Sequence, residues 1–281
     1  MTRLPLSRLI AFTAFAMLAF AGNSLLCRVA LRDTAIDAAS FTSIRLASGA
    51  LVLAPIVRLQ KGRPTGGSWM AAACLFAYAA GFSFAYRQLS AATGALLLFG
   101  AVQIAMLSWG LAKGERLRSL QLAGLFVAVG GLVYMLLPGL AAPPIEGAAF
   151  MIAAGIAWAG YSLLGRGTSD PTAATAGNFL RAVPFAAALS LAVASRTSVD
   201  PTGALYAVAS GAVTSGLGYV LWYAVLPSFT AASAAVIQLS VPAIAALGGV
   251  ILLAEPFSNR LMIASATILG GIALTILRPR A

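Results

Sequence analysis

The stretch LAFAGNSLLCR, from Leu18 to Arg28, returns almost unchanged as IAWAGYSLLGR, from Ile156 to Arg166. Both copies are apolar, rich in small residues and closed by an arginine, and the main change of character replaces Asn23 by Tyr161. An apolar segment that occurs twice in one chain indicates an internal duplication. The length and polarity of the flanking sequence then decide what kind of fold was duplicated.

The composition identifies the lipid bilayer as the main solvent of the chain. Apolar residues make up 60% of the 281 residues and charged residues only 9%, whereas a soluble domain has about 25% charged residues. The net charge of +11 does not predict a nucleic-acid partner, because the basic residues are scattered between apolar runs. Cys27 and Cys74 lie in or beside apolar runs, so they are predicted to be small buried residues and not a disulfide.

Ten segments have the length and apolar composition of a membrane-spanning helix, which needs about 20 residues. The sequence therefore predicts an all-α membrane protein with ten transmembrane helices. The uncharged stretch from Pro201 to Ala254 is too long for one span, and LPSFT, from Leu226 to Thr230, is the predicted turn within it. The ten segments are residues 9–28, 38–59, 68–87, 91–112, 119–138, 146–165, 173–195, 202–224, 230–254 and 260–278.

The distribution of basic residues predicts the orientation, because loops rich in Lys and Arg stay on the cytoplasmic side. With both termini in the cytoplasm, five basic residues lie outside, namely Arg28, Arg32, Arg87, Arg196 and Arg260. The cytoplasmic segments then carry the larger set of Arg3, Arg8, Arg58, Lys61, Arg63, Lys113, Arg116, Arg118, Arg166, Arg278 and Arg280.

The duplication extends over the whole chain. Gly81–Leu89 (GFSFAYRQL) matches Gly218–Leu226 (GYVLWYAVL), and ALLLFGAVQIAMLSWGLAKGE, ending at Glu115, matches AVIQLSVPAIAALGGVILLAE, ending at Glu255. The halves are predicted to be residues 1–140 and 141–281, with five spans each. An odd number of spans inverts the second half in the membrane, and such inverted repeats typically exchange conformations to open a central site to either side. A channel or a static larger bundle remains an alternative.

The chain resembles a known family at this point. The small-residue motifs AFAG and AWAG of spans one and six, and KGERL and LAEPFS after spans four and nine, are similar to the drug/metabolite transporter superfamily, in particular its EamA-like family. The aromatic-rich helices further resemble amino-acid exporters of the YddG type. Pro242 in span nine is typical of this family's helix, but Val102 stands at the matching place in span four.

The resemblance implies a multi-pass carrier of the bacterial inner membrane that exports neutral or aromatic amino acids, or related small metabolites, by alternating access. Exporters of drugs or other metabolites and a channel-like facilitator are the alternatives. The implied partners are a small-molecule substrate and the lipid bilayer, with no cofactor and no nucleic acid, and the chain is expected to be a monomer or a homodimer.

The polar side chains within the spans are the candidate site, because polar groups are costly in hydrocarbon. No Asp or Glu lies in mid-span and the chain has no His, so we expect no catalytic residues, no metal ligands and no buried proton relay. Glu115 and Glu255, at helix ends, are expected to pair with neighbouring cations, Arg116 and Arg260. The predicted substrate-binding residues are Asn23, Tyr78, Phe82, Gln103, Trp158, Tyr161, Tyr219, Trp222 and Gln238.

Each of these side chains has a structural alternative, since aromatic stripes also pack helices or form the interfacial belt. Arg45 and Arg181 occupy matching positions about eight residues into their helices, roughly 12 Å along the axis. Each is predicted either to tie its helix to neighbouring carbonyls or to bind a substrate carboxylate. Pro242 is the predicted hinge, because proline removes a helical hydrogen bond.

Overall fold

The computed structural model describes residues 5–59, 66–114, 119–139, 142–165, 168–229 and 237–276. Within these ranges every regular element is a helix and no strand occurs, which confirms the all-α prediction. Ten helices follow one another, and each overlaps one of the ten predicted segments. They are α1 Leu6–Asp33, α2 Ala38–Leu59, α3 Trp69–Tyr86, α4 Ala91–Ala112, α5 Ser119–Leu136, α6 Ile145–Leu164, α7 Pro171–Ala192, α8 Pro201–Ser228, α9 Ser240–Leu253 and α10 Asn259–Ile276.

Polar residues placed just before the helices explain several of their start points. The side chains of Ser68, Ser90, Asp170 and Asp200 accept hydrogen bonds from backbone N–H groups in the first turns of α3, α4, α7 and α8. Such caps satisfy N–H groups that have no partner within the helix. Asp37 precedes α2 in the same way, and its carboxylate accepts hydrogen bonds from the backbone N–H groups at positions 39 and 40.

Seven of the described helices, α1 to α6 and α8, are long and apolar enough to cross a membrane. The helices α9 and α10 are apolar but contain shorter qualifying stretches, and α7 is not among the seven. Large apolar side chains such as Phe126, Leu205 and Ile251 point outward and are 66% to 74% exposed. This exposure suits hydrocarbon, which unlike water imposes no penalty on apolar surface.

The helices pack in pairs that join the two halves of the sequence. Helix α5 packs on α10, α2 on α7, α3 on α6, and α1 on α8. Glycine permits two of these contacts: a Cβ on Gly271 of α10 would lie 2.5 Å from the Ala128 backbone nitrogen of α5, and one on Gly211 of α8 would overlap the Arg45 carbonyl of α2. Close backbone approach between membrane helices gives van der Waals contact that larger side chains prevent.

The orientation in the membrane stays a prediction. Many of the charged residues on which it depends lie outside the described residues: Arg3, Lys61, Arg63, Arg116, Arg118, Arg166, Arg278 and Arg280, as does Glu115 with its expected partner.

The partner expected for Glu255 was wrong. Its carboxylate is buried and pairs with Arg28 of α1 at 2.9 Å, while Arg260 donates to the Leu137 carbonyl at 2.5 Å and lies over the Tyr134 ring. The reason is that the chain turns at Ala254, the non-glycine residue with a positive φ of 50°. Glu255 follows this turn, and its carboxylate contacts Arg28 of α1 and the first residue of α4 instead of the start of α10.

Candidate substrate site

Five helices of the bundle surround an internal cavity of about 40 Å³ near its centre. A cavity of this size holds about three water-sized groups. A larger solute therefore enters only after the surrounding helices move apart. The lining residues come from α1 (Phe20, Asn23, Ser24), α3 (Tyr78, Phe82), α4 (Leu98, Phe99), α6 (Trp158) and α8 (Thr214, Ser215, Tyr219), together with Gln238 just before α9.

Aromatic rings in mutual contact form one wall of the cavity. The Trp158 indole lies between two tyrosines, with ring centroids 4.7 Å from Tyr78 and 5.5 Å from Tyr219. Phe20 meets the Tyr219 ring edge-on at 5.8 Å, and Phe82 lies 5.4 Å from Tyr78. Aromatic pairs at such distances stabilise one another beyond the area that they bury. The wall offers flat apolar surface to a ligand.

Asn23 organises a polar cluster beside this wall. Its amide oxygen accepts from Ser210 at 2.6 Å and from Thr214 at 3.3 Å, and its amide nitrogen donates to the Tyr78 hydroxyl at 3.3 Å. In a membrane interior these bonds satisfy groups that would otherwise be costly. The cluster fixes α1 against α3 and α8 at the depth of the cavity.

Arg45 lies behind the aromatic wall and is 2% exposed. Its Nη2 donates to the Tyr78 hydroxyl at 3.1 Å and its Nε to Ser215 at 3.4 Å. The guanidinium carbon lies 5.2 Å and 5.0 Å from the ring centroids of Tyr78 and Phe82, which is within cation–π range. Nη1 is buried without a hydrogen-bond partner. Arg45 therefore touches the site through two residues that line the cavity.

The backbone is irregular where it borders the cavity. In α8 the nine residues Ala209–Leu217 form a π-helical segment, a rare conformation that is frequent at functional sites. On the other side the chain turns at Leu239 before α9 begins, and Pro242 lies in the first turn of α9. Because proline has no N–H, it leaves the Gln238 carbonyl without its usual helical donor. Irregular backbone at membrane depth is tolerated where it lines a cavity.

The structure brings together six of the nine predicted substrate-binding residues. Tyr161 and Trp222 lie next to the cavity without lining it: the Tyr161 ring is 5.3 Å from that of Trp158, and the Trp222 ring is 6.2 Å from that of Phe20. Gln103 is half-buried on α4 and does not line the cavity. Pro242 lies beyond the lining residue Gln238. The six lining residues are Asn23, Tyr78, Phe82, Trp158, Tyr219 and Gln238.

Arg181 lies elsewhere, although the sequence repeat matches it with Arg45. It is only partly buried, and its Nη1 donates to the Gly66 carbonyl at 2.6 Å. One turn away on α7, the Asn178 side chain accepts from the Ser68 N–H at 2.9 Å. These contacts hold the start of α3 against α7. Of the two roles predicted for Arg181, these contacts correspond to the structural one, in which the arginine ties its helix to a neighbouring carbonyl.

Six lining residues were not predicted, namely Phe20, Ser24, Leu98, Phe99, Thr214 and Ser215, and the sequence repeat identifies three of them. With the offsets of the repeat, Phe20 matches Trp158, Leu98 matches Gln238, Tyr78 matches Ser215, and Phe82 matches Tyr219. Both members of all four pairs line the cavity. Phe20, Leu98 and Ser215 are ordinary residues of a membrane helix on their own, but each is the repeat partner of a predicted site residue.

An ion pair joins several segments at one end of the bundle. It consists of Glu255 and Arg28, and we call it the Glu255 ion pair. The carboxylate also accepts from the Ala91 N–H at 2.7 Å, and Arg28 donates to the Tyr86 carbonyl at 2.9 Å. Arg32 adds a bond to the Leu253 carbonyl at 2.9 Å. The pair thus joins α1, the turn between α3 and α4, and the segment between α9 and α10. By the predicted orientation this is the outer end.

A second contact at the same end involves Asp37. Its backbone N–H donates to the Ser198 carbonyl at 2.9 Å, and its carboxylate accepts from the Ser198 N–H at 2.9 Å. Burial acts to raise the pKa of Asp37, but hydrogen bonds from the Ser40 hydroxyl and from backbone N–H groups outweigh it and hold this pKa below its ordinary value. The turn between α1 and α2 is thereby fixed to the segment before α8.

The fold and the cavity together define a protein in which long apolar helices surround a small internal cavity. The comparisons with known proteins agree. Residues 145–277 match the model of the EamA-like transporter family, and the chain is 56% identical over 279 residues to the uncharacterized protein PA1977 of Pseudomonas aeruginosa, covering 99% of this chain and 97% of that one. The chain therefore carries an EamA-like transporter domain and belongs to one family with this relative.

The fold is also known from experiment. A crystal structure described simply as that of a protein superimposes with a TM-score of 0.65, covering 95% of this chain and 96% of that chain at 20% identity. This likeness concerns the fold alone. Residues 145–277 thus match a family of membrane transporters of small molecules, and seven of the described helices are long and apolar enough to cross a membrane.

Proposed function

We propose that the protein exports amino acids with neutral or aromatic side chains, or related small metabolites, from the cytoplasm by alternating access. The two inverted halves are residues 1–140 and 141–281, and the site is the central cavity. The membrane is the bacterial inner membrane. Within the family, exporters of the YddG type are the proposed comparison because of the aromatic wall.

One observation carries this proposal: four pairs of positions matched by the sequence repeat line one cavity. Two inverted halves that contribute equivalent residues to a shared site can exchange conformations around it. The helix contacts support the same symmetry. In the repeat α1 corresponds to α6, α3 to α8 and α4 to α9. The contact of α1 with α8 is therefore equivalent to that of α6 with α3, and the contact of α1 with α9 is equivalent to that of α6 with α4.

The small volume of the cavity supports a carrier over a channel-like facilitator. A carrier has no continuous path through its site, and the cavity described here is small, with the Glu255 ion pair joining three segments at one end of the bundle. A channel needs a continuous path in its conducting state.

The test is counterflow in proteoliposomes. Vesicles are loaded with one unlabelled amino acid at a time, and entry of labelled L-phenylalanine is followed. A carrier gives transient accumulation above equilibrium that saturates and depends on the loaded amino acid. Simple equilibration without saturation would instead indicate a channel, and no entry under any loading would refute amino-acid transport.

A pair of tryptophan variants ties the activity to the cavity. Trp158→Ala removes the ring between Tyr78 and Tyr219 and is expected to lower the counterflow rate by tenfold or more, which corresponds to about 1.4 kcal/mol. Trp109→Ala is the matched control, since Trp109 is 50% exposed and lies at the end of α4. Equal rates for the two variants, at equal amounts of folded protein, would remove Trp158 from the site.

A further inference from the structure

The charge on Arg45 has no counter-charge in the described part of the chain. The ion pairs found there join Arg28 and Arg32 to Glu255 and Asp33, and the partners of Arg45 are two neutral hydroxyl groups. The sequence places no Asp or Glu in the middle of a span. Arg45 is therefore a single positive charge at the centre of a membrane bundle.

Neither structural alternative for a membrane arginine accounts for this arrangement. The guanidinium does not reach the lipid interface, because Arg45 is 2% exposed. Nor is it fully used as a tether, because Nη1 is buried without a partner while Nη2 and Nε are bonded. A guanidinium cannot lose its proton to avoid the cost of burial. The cation–π contacts with Tyr78 and Phe82 offset part of this cost, and an anion bound at Nη1 would lower it further.

We propose that Arg45 is the anion-binding group of the central site and that its ligand is a small carboxylate with an apolar or aromatic body, for which an amino group is not required. The inference rests on the proposed function and names its substrate class. A carboxylate is the planar partner that a guanidinium binds with two parallel hydrogen bonds. The aromatic wall around Trp158 receives the apolar body.

The rest of the cavity explains why the amino group is dispensable. A substrate ammonium group would seek a carboxylate, and none lines the cavity among the described residues. The polar lining consists of the hydroxyl groups of Ser24, Thr214 and Ser215 and the amides of Asn23 and Gln238, besides the tyrosines. These groups can accept one hydrogen bond from an amine but provide no negative charge.

This substrate class also determines the energy source. A zwitterionic amino acid carries no net charge, whereas a carboxylate without an amine carries one negative charge across the membrane. An inside-negative membrane potential favours outward movement of that anion. Export of such substrates then needs no titratable side chain in mid-span.

The experiment uses four probes that share a phenylalkyl body: L-phenylalanine, 3-phenylpropionate, L-phenylalaninamide and phenethylamine. Each is tested for counterflow against protein-free vesicles and, independently, for raising the unfolding temperature of the purified protein. The two carboxylates are expected to act in both assays, and the amide and the amine to act at about tenfold higher concentration or not at all.

The variants assign the preference to one side chain. Arg45→Gln removes the charge and is expected to abolish the preference for carboxylates, whereas Arg45→Lys keeps a charge and retains part of it. Arg196→Gln makes the same charge change at an exposed residue outside the bundle centre and is expected to keep the preference. If Arg45→Gln does not fold, the ranking of the probes in the wild type and in Arg45→Lys still decides.

The outcomes separate this inference from the proposed function. Equal action of carboxylates and amide in the wild type, or a preference that persists in Arg45→Gln, overturns the anion site while leaving transport intact. Stabilisation by carboxylates alone, lost in Arg45→Gln, with no counterflow by any probe, supports the anion site and refutes transport of these compounds. Neither counterflow nor stabilisation by any probe overturns both.

The membrane potential provides a further readout. With a potassium gradient and valinomycin setting the potential, efflux of 3-phenylpropionate is expected to accelerate when the inside is negative, while efflux of L-phenylalanine stays unchanged. Efflux of both at a rate independent of potential would contradict the proposed net charge movement.

Discussion

Breaking the Glu255 ion pair is expected to destabilise the protein markedly. The Glu255 side chain is 5% exposed and that of Arg28 is 13% exposed, with 2.9 Å between Oε1 and Nε. Removing one partner of a fully buried pair costs about 3–5 kcal/mol. Arg28 retains the Tyr86 carbonyl as acceptor, which offsets part of this loss. We therefore expect Glu255→Gln to lower the free energy of unfolding by about 2 kcal/mol, in the range of one charged hydrogen bond.

The measurement is a double-mutant cycle of Arg28→Gln and Glu255→Gln, with unfolding followed by titration with sodium dodecyl sulfate in mixed micelles. The pair is direct, so the expected coupling energy is about 2 kcal/mol. Glu146→Gln is the control, because Glu146 is exposed and accepts from the Gln88 side chain at 2.8 Å. An exposed contact of this kind contributes about 0.5 kcal/mol or less.

A natural reporter lies next to the pair. Cys27 precedes Arg28 on α1 and is fully buried, so its thiol reacts with a reagent only when the helices around it separate. The Cys74→Ser background removes the other thiol of the chain. Glu255→Gln is expected to accelerate the reaction of Cys27 with a maleimide. The reasoning is refuted if the coupling energy falls below about 0.5 kcal/mol and the thiol reacts as slowly as in the wild type.

Three further changes test other parts of the fold. Gly211→Ala places a Cβ against the Arg45 carbonyl and is expected to destabilise the protein by about 1–3 kcal/mol. Gly130→Ala is the control, since nothing lies within 4 Å of its Cβ, and it is expected to leave stability unchanged. An unfolding titration compares the two variants. Asp37→Asn is expected to lower stability at pH 7. Because the folded-state pKa of Asp37 is lowered from 3.8, the difference from the wild type is present above pH 3.8 and vanishes as the pH falls through the folded-state pKa, which unfolding curves at several pH values measure. Arg181→Met removes the bond to the Gly66 carbonyl before α3 and is expected to cost about 1.5–3 kcal/mol, which an unfolding titration measures.

The sequence predicted the helices well because hydropathy alone decides them. Each predicted segment overlaps a helix, since a backbone in hydrocarbon has to satisfy its hydrogen bonds internally. The π-helical segment Ala209–Leu217 was not predictable. Its sequence, ASGAVTSGL, is compatible with an ordinary helix, and the contacts that it makes with α2 and with Asn23 are distant in sequence.

Tertiary pairing explains the other differences. Arg28 and Glu255 are 227 positions apart in sequence, so hydropathy and local spacing favoured the nearer cation, Arg260. The cavity was predictable in part, since large aromatic and amide side chains in mid-span stand out by polarity. Phe20 and Leu98 do not stand out in this way, and only their place in the repeat relates them to Trp158 and Gln238.

The unequal environments of Arg45 and Arg181 follow from the proposed exchange between inverted halves. Arg45 donates to Tyr78 and Ser215, and these two residues match each other in the repeat. Exchanging the halves would therefore give Arg181 the same two acceptors and release its bond to Gly66. In that view one arginine lies at the site while its counterpart ties two helices together, and the roles reverse when the site opens to the other side. In the conformation described here Arg45 contacts residues that line the cavity and Arg181 contacts Gly66, so an exchange of the halves would give each copy of the arginine both roles in turn.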